Sequence, residues 1–512
     1  MSIPSESPTD TGTLVEVDTV AGRVRGAWRG EPGGPGASAA FLGIPFAEAP
    51  VGELRFAAPV PKAPWQGVRD ALEFGATAQR GDPGVTLIPE PSVPGESTLN
   101  VNVFTPRPSA ADAGANAGAD AGADAALPVL VWIHGGGYFA GSPASLWYDG
   151  GRFNRDGVVT VTISYRLGFD GFGWIADAPS NRGVRDWLLA LEWVQQNIAA
   201  FGGDPSRVTI AGQSAGGGAV LTLLGMERAQ HLFHGVYAIS GALADVAPER
   251  SEAFGRDLAA AAGVEPTRAG LGSLSEARII ELQKQATELG PDSLGSMLEH
   301  GLPLGPAIDG DLLVRSTRDS LAAGVGADKP LVLGATDDEF TMAFAEAEKK
   351  LRWIPKSLVL KKLGLTRSAL RPYLAANPDV AGKGTARVAG RLLTDRMFRT
   401  AVVRLAALRG DAPTWVYRFS WPSGTFGFAE HCLDVPFFFD CLDSIAIEPL
   451  AGTNPPQRLA DEVHGAAVAF VATGDPGWPR YTDASRATRV WDTPSSMVED
   501  GYASVRTLLE TP

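Results

Sequence analysis

Residues 207–224 read RVTIAGQSAGGGAVLTLL. RVTIAG is a short apolar run that suits a buried strand, and AGGGAVLTLLGM is compatible with a helix. Between them, Gly212-Gln213-Ser214-Ala215-Gly216 matches G-x-S-x-G. A serine on so sharp a strand-to-helix turn needs small residues two before and two after it, because neighbouring backbone must pass closely. Alone, the pattern also describes a tight turn with an idle serine. The flanking strand and helix favour the strained turn.

The rest of the chain supplies a sheet to hold such a turn. LPVLVWI (127–133), VVTVTIS (158–164), GVYAIS (235–240), PLVLGAT (330–336) and TWVYRFS (414–420) are short and mostly apolar. Several are apolar on both faces, as strands of a parallel sheet covered on both sides should be. DWLLALEWVQQNIAAF places Leu188, Leu191, Val194 and Ile198 on one helical face and stops at GGDP. Near the start, TLVEVDTVAGRVRGAW alternates apolar and polar residues around a glycine and predicts an antiparallel hairpin. The prolines of AAFLGIPFAEAPVGELRF break any long element that follows.

Alternating strands and helices predict an α/β class with one central, mostly parallel sheet. Helical patterns over about 243–327 and 342–412 predict insertions that roof the sheet. The segment 109–126, SAADAGANAGADAGADAA, is small and without periodicity, so it is expected to be a surface loop. The whole chain, 1–512, is read as one domain.

Composition excludes several classes. The net charge of -14 and the absence of a basic cluster interleaved with aromatics argue against nucleic-acid binding. No run approaches the ~18 apolar residues that a membrane span needs, so no membrane partner is expected. Two cysteines, Cys432 and Cys441, are too few for a disulfide framework and fit a reducing compartment. The polar start MSIPSESPTDTG lacks the basic and apolar regions of a signal peptide. A cytoplasmic location is the expectation.

The second chemical signal is His134-Gly135-Gly136-Gly137, directly after the strand LPVLVWI. Glycines let main-chain amides turn into a site where negative charge develops on a carbonyl oxygen. With the serine turn downstream, this fits acyl transfer. The chain order for such a triad is serine, acid, histidine. Asp337, Asp338 and Glu339 all follow PLVLGAT, and sequence physics does not choose among them. His431, in AEHCLDVPFFFD, follows the strand TWVYRFS by a short loop. His464 lies within the helical pattern RLADEVHGAAVAF, where packing is the simpler role. His231 and His234 have helical spacing without a carboxylate or cysteine cluster beside them, so no metal and no cofactor is expected.

At this point the chain resembles the carboxylesterase type-B family of α/β-hydrolases. The resemblance rests on FLGIPFAEAPVGELRFAAPVP, LNVNVFTP, LPVLVWIHGGGYFAGS, ISYRLG, ALEWVQQNIAAFGGDPSRVTIAGQSAGG and WPRYT, in that order. It implies Ser214 as nucleophile, Glu339 in GATDDEF as acid and His431 in HCLDVPF as base. It also implies an oxyanion hole from the amides of Gly136, Gly137 and Ala215. Two residues depart from the family pattern. Gln213 replaces the usual glutamate before the serine, and Cys432 replaces the usual glycine after the histidine.

The expected activity is hydrolysis of a small-molecule carboxylic ester through an acyl-enzyme on Ser214. Activity should rise through roughly pH 6 to 7 as the histidine loses its proton. Tyr138, Phe139, Trp147, Phe169, Phe172, Trp174 and Phe437–Phe439 lie near the motifs and suggest an apolar pocket for aromatic or medium-chain groups. Core packing is the competing role for each. An amidase, a carbamate hydrolase or an acyltransferase would use the same triad. A non-catalytic adhesion module is disfavoured because serine, acid and histidine are all present. Oligomeric state is not readable from the sequence.

Overall fold

The computed structural model describes residues 10–82, 87–109, 126–287, 301–345 and 347–509. Strands β1 (Asp10–Thr19) and β2 (Gly22–Arg29) form the expected antiparallel hairpin. Its alternation has a physical result. Val15, Val17, Val24 and Trp28 are buried, while Arg23 pairs with Asp18 and Arg25 with Glu16 on the other face.

Eleven further strands follow among the described residues. They are β3 (Ser38–Pro45), β4 (Val68–Asp70), β5 (Asn100–Thr105), β6 (Leu127–Ile133), β7 (Val159–Ile163), β8 (Gly203–Gln213), β9 (Gly235–Ile239), β10 (Leu331–Thr336), β11 (Thr414–Phe419), β12 (Ala487–Trp491) and β13 (Ser496–Glu499). All join one sheet in the order β1-β2-β3-β5-β7-β6-β8-β9-β10-β11-β12-β13, with β4 against β2. From β7 to β12 every neighbouring pair is parallel. Toward both edges the pairs are antiparallel, except that β4 runs parallel to β2. This is the mostly parallel α/β sheet that the apolar runs predicted. The sequence pattern does not mark strand β3, which ends at Pro45, where the missing N–H would break the ladder.

Alternate residues of the central strands feed two separate cores. Val129, Val131 and Ile133 of β6 face one core, and Leu130 and Trp132 face the other. The first is covered by helix Arg182–Asn197, through Val184, Trp187, Leu191 and Val194, and by helix Ala215–Leu224. The second is covered by helix Gln457–Thr473, through Leu459, Val463, Ala467 and Phe470, and by Phe437–Phe439. Each fully buried large side chain contributes about 1.5–3 kcal/mol relative to exposure. The pinning of both faces therefore fixes where the C-terminal ends of β6, β8, β10 and β11 stand.

Helices Pro248–Ala262 and Glu276–Thr287 occupy the first predicted insertion, and Arg367–Ala376, Thr385–Thr394 and Thr400–Leu408 occupy the second. Apart from its ends, Ser109 and Ala126, the low-complexity segment lies outside the described residues.

Candidate active site

Strand β8 ends at Gln213, and helix Ala215–Leu224 begins one residue later. Ser214 occupies the corner with φ 56° and ψ -119°, a conformation that costs an L-residue energy and needs support from its surroundings. The support is visible. The Ser214 N–H donates to the Ile239 carbonyl at 2.9 Å, and the Ser214 carbonyl accepts from the Gly218 N–H at 2.9 Å. A Cβ on Gly216 would stand 2.0 Å from the Ile133 carbonyl oxygen, so only glycine lets β6 and the new helix approach this closely. Ser214 is partly exposed, whereas Gln213 and Ala215 are buried.

The loop after β6 runs beside this corner. A Cβ on Gly135 would lie 3.2 Å from Ser214 Cβ. Gly136 has φ 95°, and a Cβ there would meet the Ala140 carbonyl oxygen at 2.2 Å. Its own carbonyl accepts from the amides of Phe139 and Ala140, at 3.1 and 2.9 Å. Farther along, the Gly141 N–H donates to Gln79 Oε1 at 2.6 Å. His134 is buried under Tyr165, with ring centroids 4.5 Å apart. Burial pushes its pKa down to about 4, so it stays neutral. Gly136 and Gly137 are only half-buried.

Glu339 and His431 follow β10 and β11, two adjacent parallel strands beyond β9 in the sheet. Glu339 follows β10 and is fully buried. Its Oε1 accepts from the Ser240 hydroxyl at 2.6 Å and from the Thr336 N–H at 2.8 Å. Its Oε2 is hydrogen-bonded to His431 Nδ1. The imidazole packs on Phe340, with centroids 5.0 Å apart, and on Phe398 at 5.3 Å. Burial disfavours the imidazolium, but Cys432 and the Glu339 carboxylate outweigh it and hold the His431 pKa well above its usual value. The pH 6 to 7 range expected for an ordinary histidine therefore does not apply to His431, whose pKa lies higher.

The hydrogen bond at the other ring nitrogen goes to Gln213. Gln213 Nε2 lies 3.2 Å from His431 Nε2. Among the described residues no side-chain hydrogen bond joins His431 to the Ser214 hydroxyl. The structure thus joins Glu339, His431 and Gln213 directly and places Ser214 next to Gln213 in the chain.

The competing carboxylates and histidines go elsewhere. Asp338 pairs with Arg387 and Arg391 at 3.3 and 3.2 Å. Asp337 pairs with Arg418 at 3.1 Å. His464 is buried in its helix and is hydrogen-bonded to the Phe438 carbonyl at 2.8 Å and to Asp156 at 3.0 Å. Cys432 and Cys441 are buried and unpaired. Cys432 has φ 66°, the region where the family's usual glycine would be unstrained.

Most of the aromatic residues proposed for a pocket pack in the core. Phe437–Phe439, Trp147, Tyr138 and Phe172 are all buried. Trp174 is half-buried under the Arg256 guanidinium. Phe139 is the one that is exposed, at 54%, and Phe169 is buried. Both line a cavity of about 600 Å³, where apolar Leu167 and Ile279 stand with charged Arg55, Arg166, Glu276 and Lys284.

Sequence reasoning missed two supports. Ser240 closes GVYAIS and stands beside Glu339 only because β9 and β10 are neighbours. Glu430 adjoins His431 in the chain, but its role is visible only in space. Its Oε1 accepts from the His431 N–H at 3.0 Å, and burial raises its pKa to about 8.

The sheet order and the strand–serine–helix corner define an α/β-hydrolase fold. The family comparison then agrees with it: the model described as Carboxylesterase family matches residues 13–505, and the chain belongs to that family. It is 31% identical to the para-nitrobenzyl esterase of Bacillus subtilis over 489 residues, 91% of this chain and 94% of that protein. It is 32% identical to the phenmedipham hydrolase of Pseudarthrobacter oxydans over 505 residues, 91% of this chain and 95% of that protein. A solved carboxylesterase of Geobacillus stearothermophilus superposes with a TM-score of 0.78 at 30% identity, covering 96% of this chain and 99% of that one. The chain is a carboxylic ester hydrolase.

Proposed function

We propose that hydrolysis runs through a covalent acyl-enzyme on Ser214, with His431 as general base and Glu339 as its partner. The hydrogen bond between Glu339 and His431 Nδ1, beside the Ser214 corner, carries this reading. Neutral His431 accepts the serine proton at Nε2, with the Ser214 hydroxyl replacing the Gln213 amide there, as the hydroxyl oxygen attacks the ester carbonyl. Glu339 keeps the ring proton on Nδ1 and stabilises the imidazolium that forms. The amides of Gly136, Gly137 and Ala215 receive the oxyanion. His431 then protonates the leaving alcohol, and water repeats the sequence on the acyl-enzyme.

An ester with an aromatic or apolar group is the proposed substrate, supported by Phe139, which stands exposed after the glycine loop and lines a cavity with Leu167 and Ile279. Arg55, Arg166, Glu276 and Lys284 line the same cavity, and Ser214, Glu339 and His431 do not. A para-nitrobenzyl esterase among the relatives supports the same class. Two buried, unpaired thiols fit a reducing cytoplasm.

An aryl fluorophosphonate tests the site. It should label one serine, Ser214, by peptide mapping, and labelling should vanish in Ser214→Ala. Stoichiometric labelling of another serine would overturn the assignment.

A further inference from the structure

The chain carries a net charge of -14, yet residues 349–378 contain no Asp or Glu and eight Lys or Arg. Lys349, Lys350, Lys356, Lys361 and Lys362 are five of its nine lysines. They lie on two short helices, Glu348–Leu351 and Lys356–Lys362. The turn between the helices carries Trp353 and Ile354.

This segment exposes apolar side chains as well as charge. Trp353 is 77% exposed, Leu358 61% and Ile354 39%. Trp353 is the most exposed large apolar side chain among the described residues. Its ring is flanked by the Arg352 guanidinium, 4.8 Å from the centroid. Lys349, Lys350, Arg352, Lys361 and Lys362 of the same segment are exposed too.

The fold does not require these apolar side chains to face out. The segment is already anchored by Leu360, Leu363 and Leu365, which pack with Tyr373, Val388 and Leu392. The Lys356 ammonium also donates to the Ala381 carbonyl at 2.5 Å. A solvated basic face would account for the lysines but not for Trp353, Ile354 and Leu358 grouped within six residues. An apolar centre led by tryptophan and rimmed by cations matches the chemistry of an anionic lipid surface. No helix among the described residues is long and apolar enough to cross a membrane, so the contact is peripheral.

We infer that residues 349–362 dock on an anionic phospholipid surface. Trp353, Ile354 and Leu358 enter the boundary between headgroups and acyl chains, and the surrounding Lys and Arg side chains meet lipid phosphates. This goes beyond the proposed ester hydrolysis and does not depend on the triad. Each cation near such a surface strengthens binding by roughly fivefold, and added salt screens that share of it.

Cosedimentation of the full chain with vesicles tests the inference. One vesicle set is phosphatidylcholine alone; the other contains about one-third phosphatidylglycerol. The protein should pellet with the anionic vesicles and stay in the supernatant with the neutral ones, and raising the salt should release it. A triple variant Lys349→Glu, Lys350→Glu, Lys361→Glu should bind at least about tenfold more weakly. A double variant Trp353→Ser, Leu358→Ser should also lose about tenfold while keeping the charge. Both variants should keep aryl-ester turnover without vesicles within about twofold and an unchanged Tm, which shows that the fold is intact. Absence of pelleting with anionic vesicles at low salt overturns the inference, and so does undiminished pelleting of both variants. Retention on an immobilised acidic polypeptide without vesicle binding would assign the face to a protein instead.

Discussion

Gln213 and His431 meet at the imidazole Nε2, where the Gln213 amide nitrogen stands 3.2 Å away. The amide N–H donates to the ring lone pair, which exists only on the neutral ring with its proton on Nδ1. That proton faces Glu339. Gln213 therefore favours the uncharged, proton-accepting state of His431, the proposed base. A glutamate there would favour the imidazolium. Gln213→Glu should move the acid limb of kcat/KM upward by about one pH unit. Gln213→Leu, which only loses the donor, should move it upward by less. Profiles that superimpose on the wild type would show that the contact does not reach the base.

The wild-type limb has its own expected position. Burial lowers the His431 pKa, but Cys432 and Glu339 raise it to a net value well above the usual 6.5. The proton-accepting form therefore gains ground only as pH rises past the ordinary histidine range. Measured from about pH 5 to 9, kcat/KM should still be climbing above pH 7. A plateau reached below pH 6.5 would show that the surroundings do not raise the His431 pKa.

Removal of the proposed nucleophile should abolish nearly all activity. Ser214→Ala should lower aryl-ester turnover on the order of a million-fold. Turnover within a few-fold of wild type would place the chemistry elsewhere.

Ser240 stabilises the charge on Glu339 without touching the ring. Its hydroxyl donates to the fully buried Oε1 at 2.6 Å, which the Thr336 amide also serves. Ser240→Ala leaves one of these two donors. A lost hydrogen bond to a buried charge costs about 1.5–3 kcal/mol. The expected result is a fall in kcat of about tenfold or more with little change in KM. A change confined to KM would assign Ser240 to substrate binding.

Glu430 links stability to pH. Its carboxyl pKa rises from 4.5 to about 8 on burial, so the unfolded chain ionises first and the folded state loses stability as pH rises between those values. The loss is a few kcal/mol in total, because each pH unit between the two values costs roughly 1.4 kcal/mol. Glu430→Gln keeps the Oε1 acceptor for the His431 N–H but has no charge to bury. Its denaturant midpoint should fall less than the wild type's between pH 5 and pH 8. Equal losses would show that Glu430 is not the group responsible.

Much of the site was legible because its local geometry is written in adjacent residues. The serine corner needs Gly212 and Gly216 at fixed offsets, and the loop after β6 needs Gly136 at φ 95°. The three carboxylates after β10 were different. Asp337, Asp338 and Glu339 are chemically alike, and only their distant partners separate them: Arg418 for the first, Arg387 and Arg391 for the second, His431 for the third. The aromatics near the motifs show the same limit. Composition could not tell that Phe437–Phe439 would be walled into the second core, with Phe438 and Phe439 against Trp132, while Phe139 stayed in the open.

The sequence by itself determined the α/β sheet and the strand–serine–helix corner, because apolar periodicity and glycine spacing act over a few neighbouring residues. Only the tertiary structure decided that Gln213 reaches His431 across 218 residues of chain, that Ser240 and Thr336 hold Glu339, and that Trp353 stands exposed among lysines. Those relationships depend on which strand ends lie side by side and which faces the two cores leave uncovered, and both are properties of the packed sheet rather than of any local stretch.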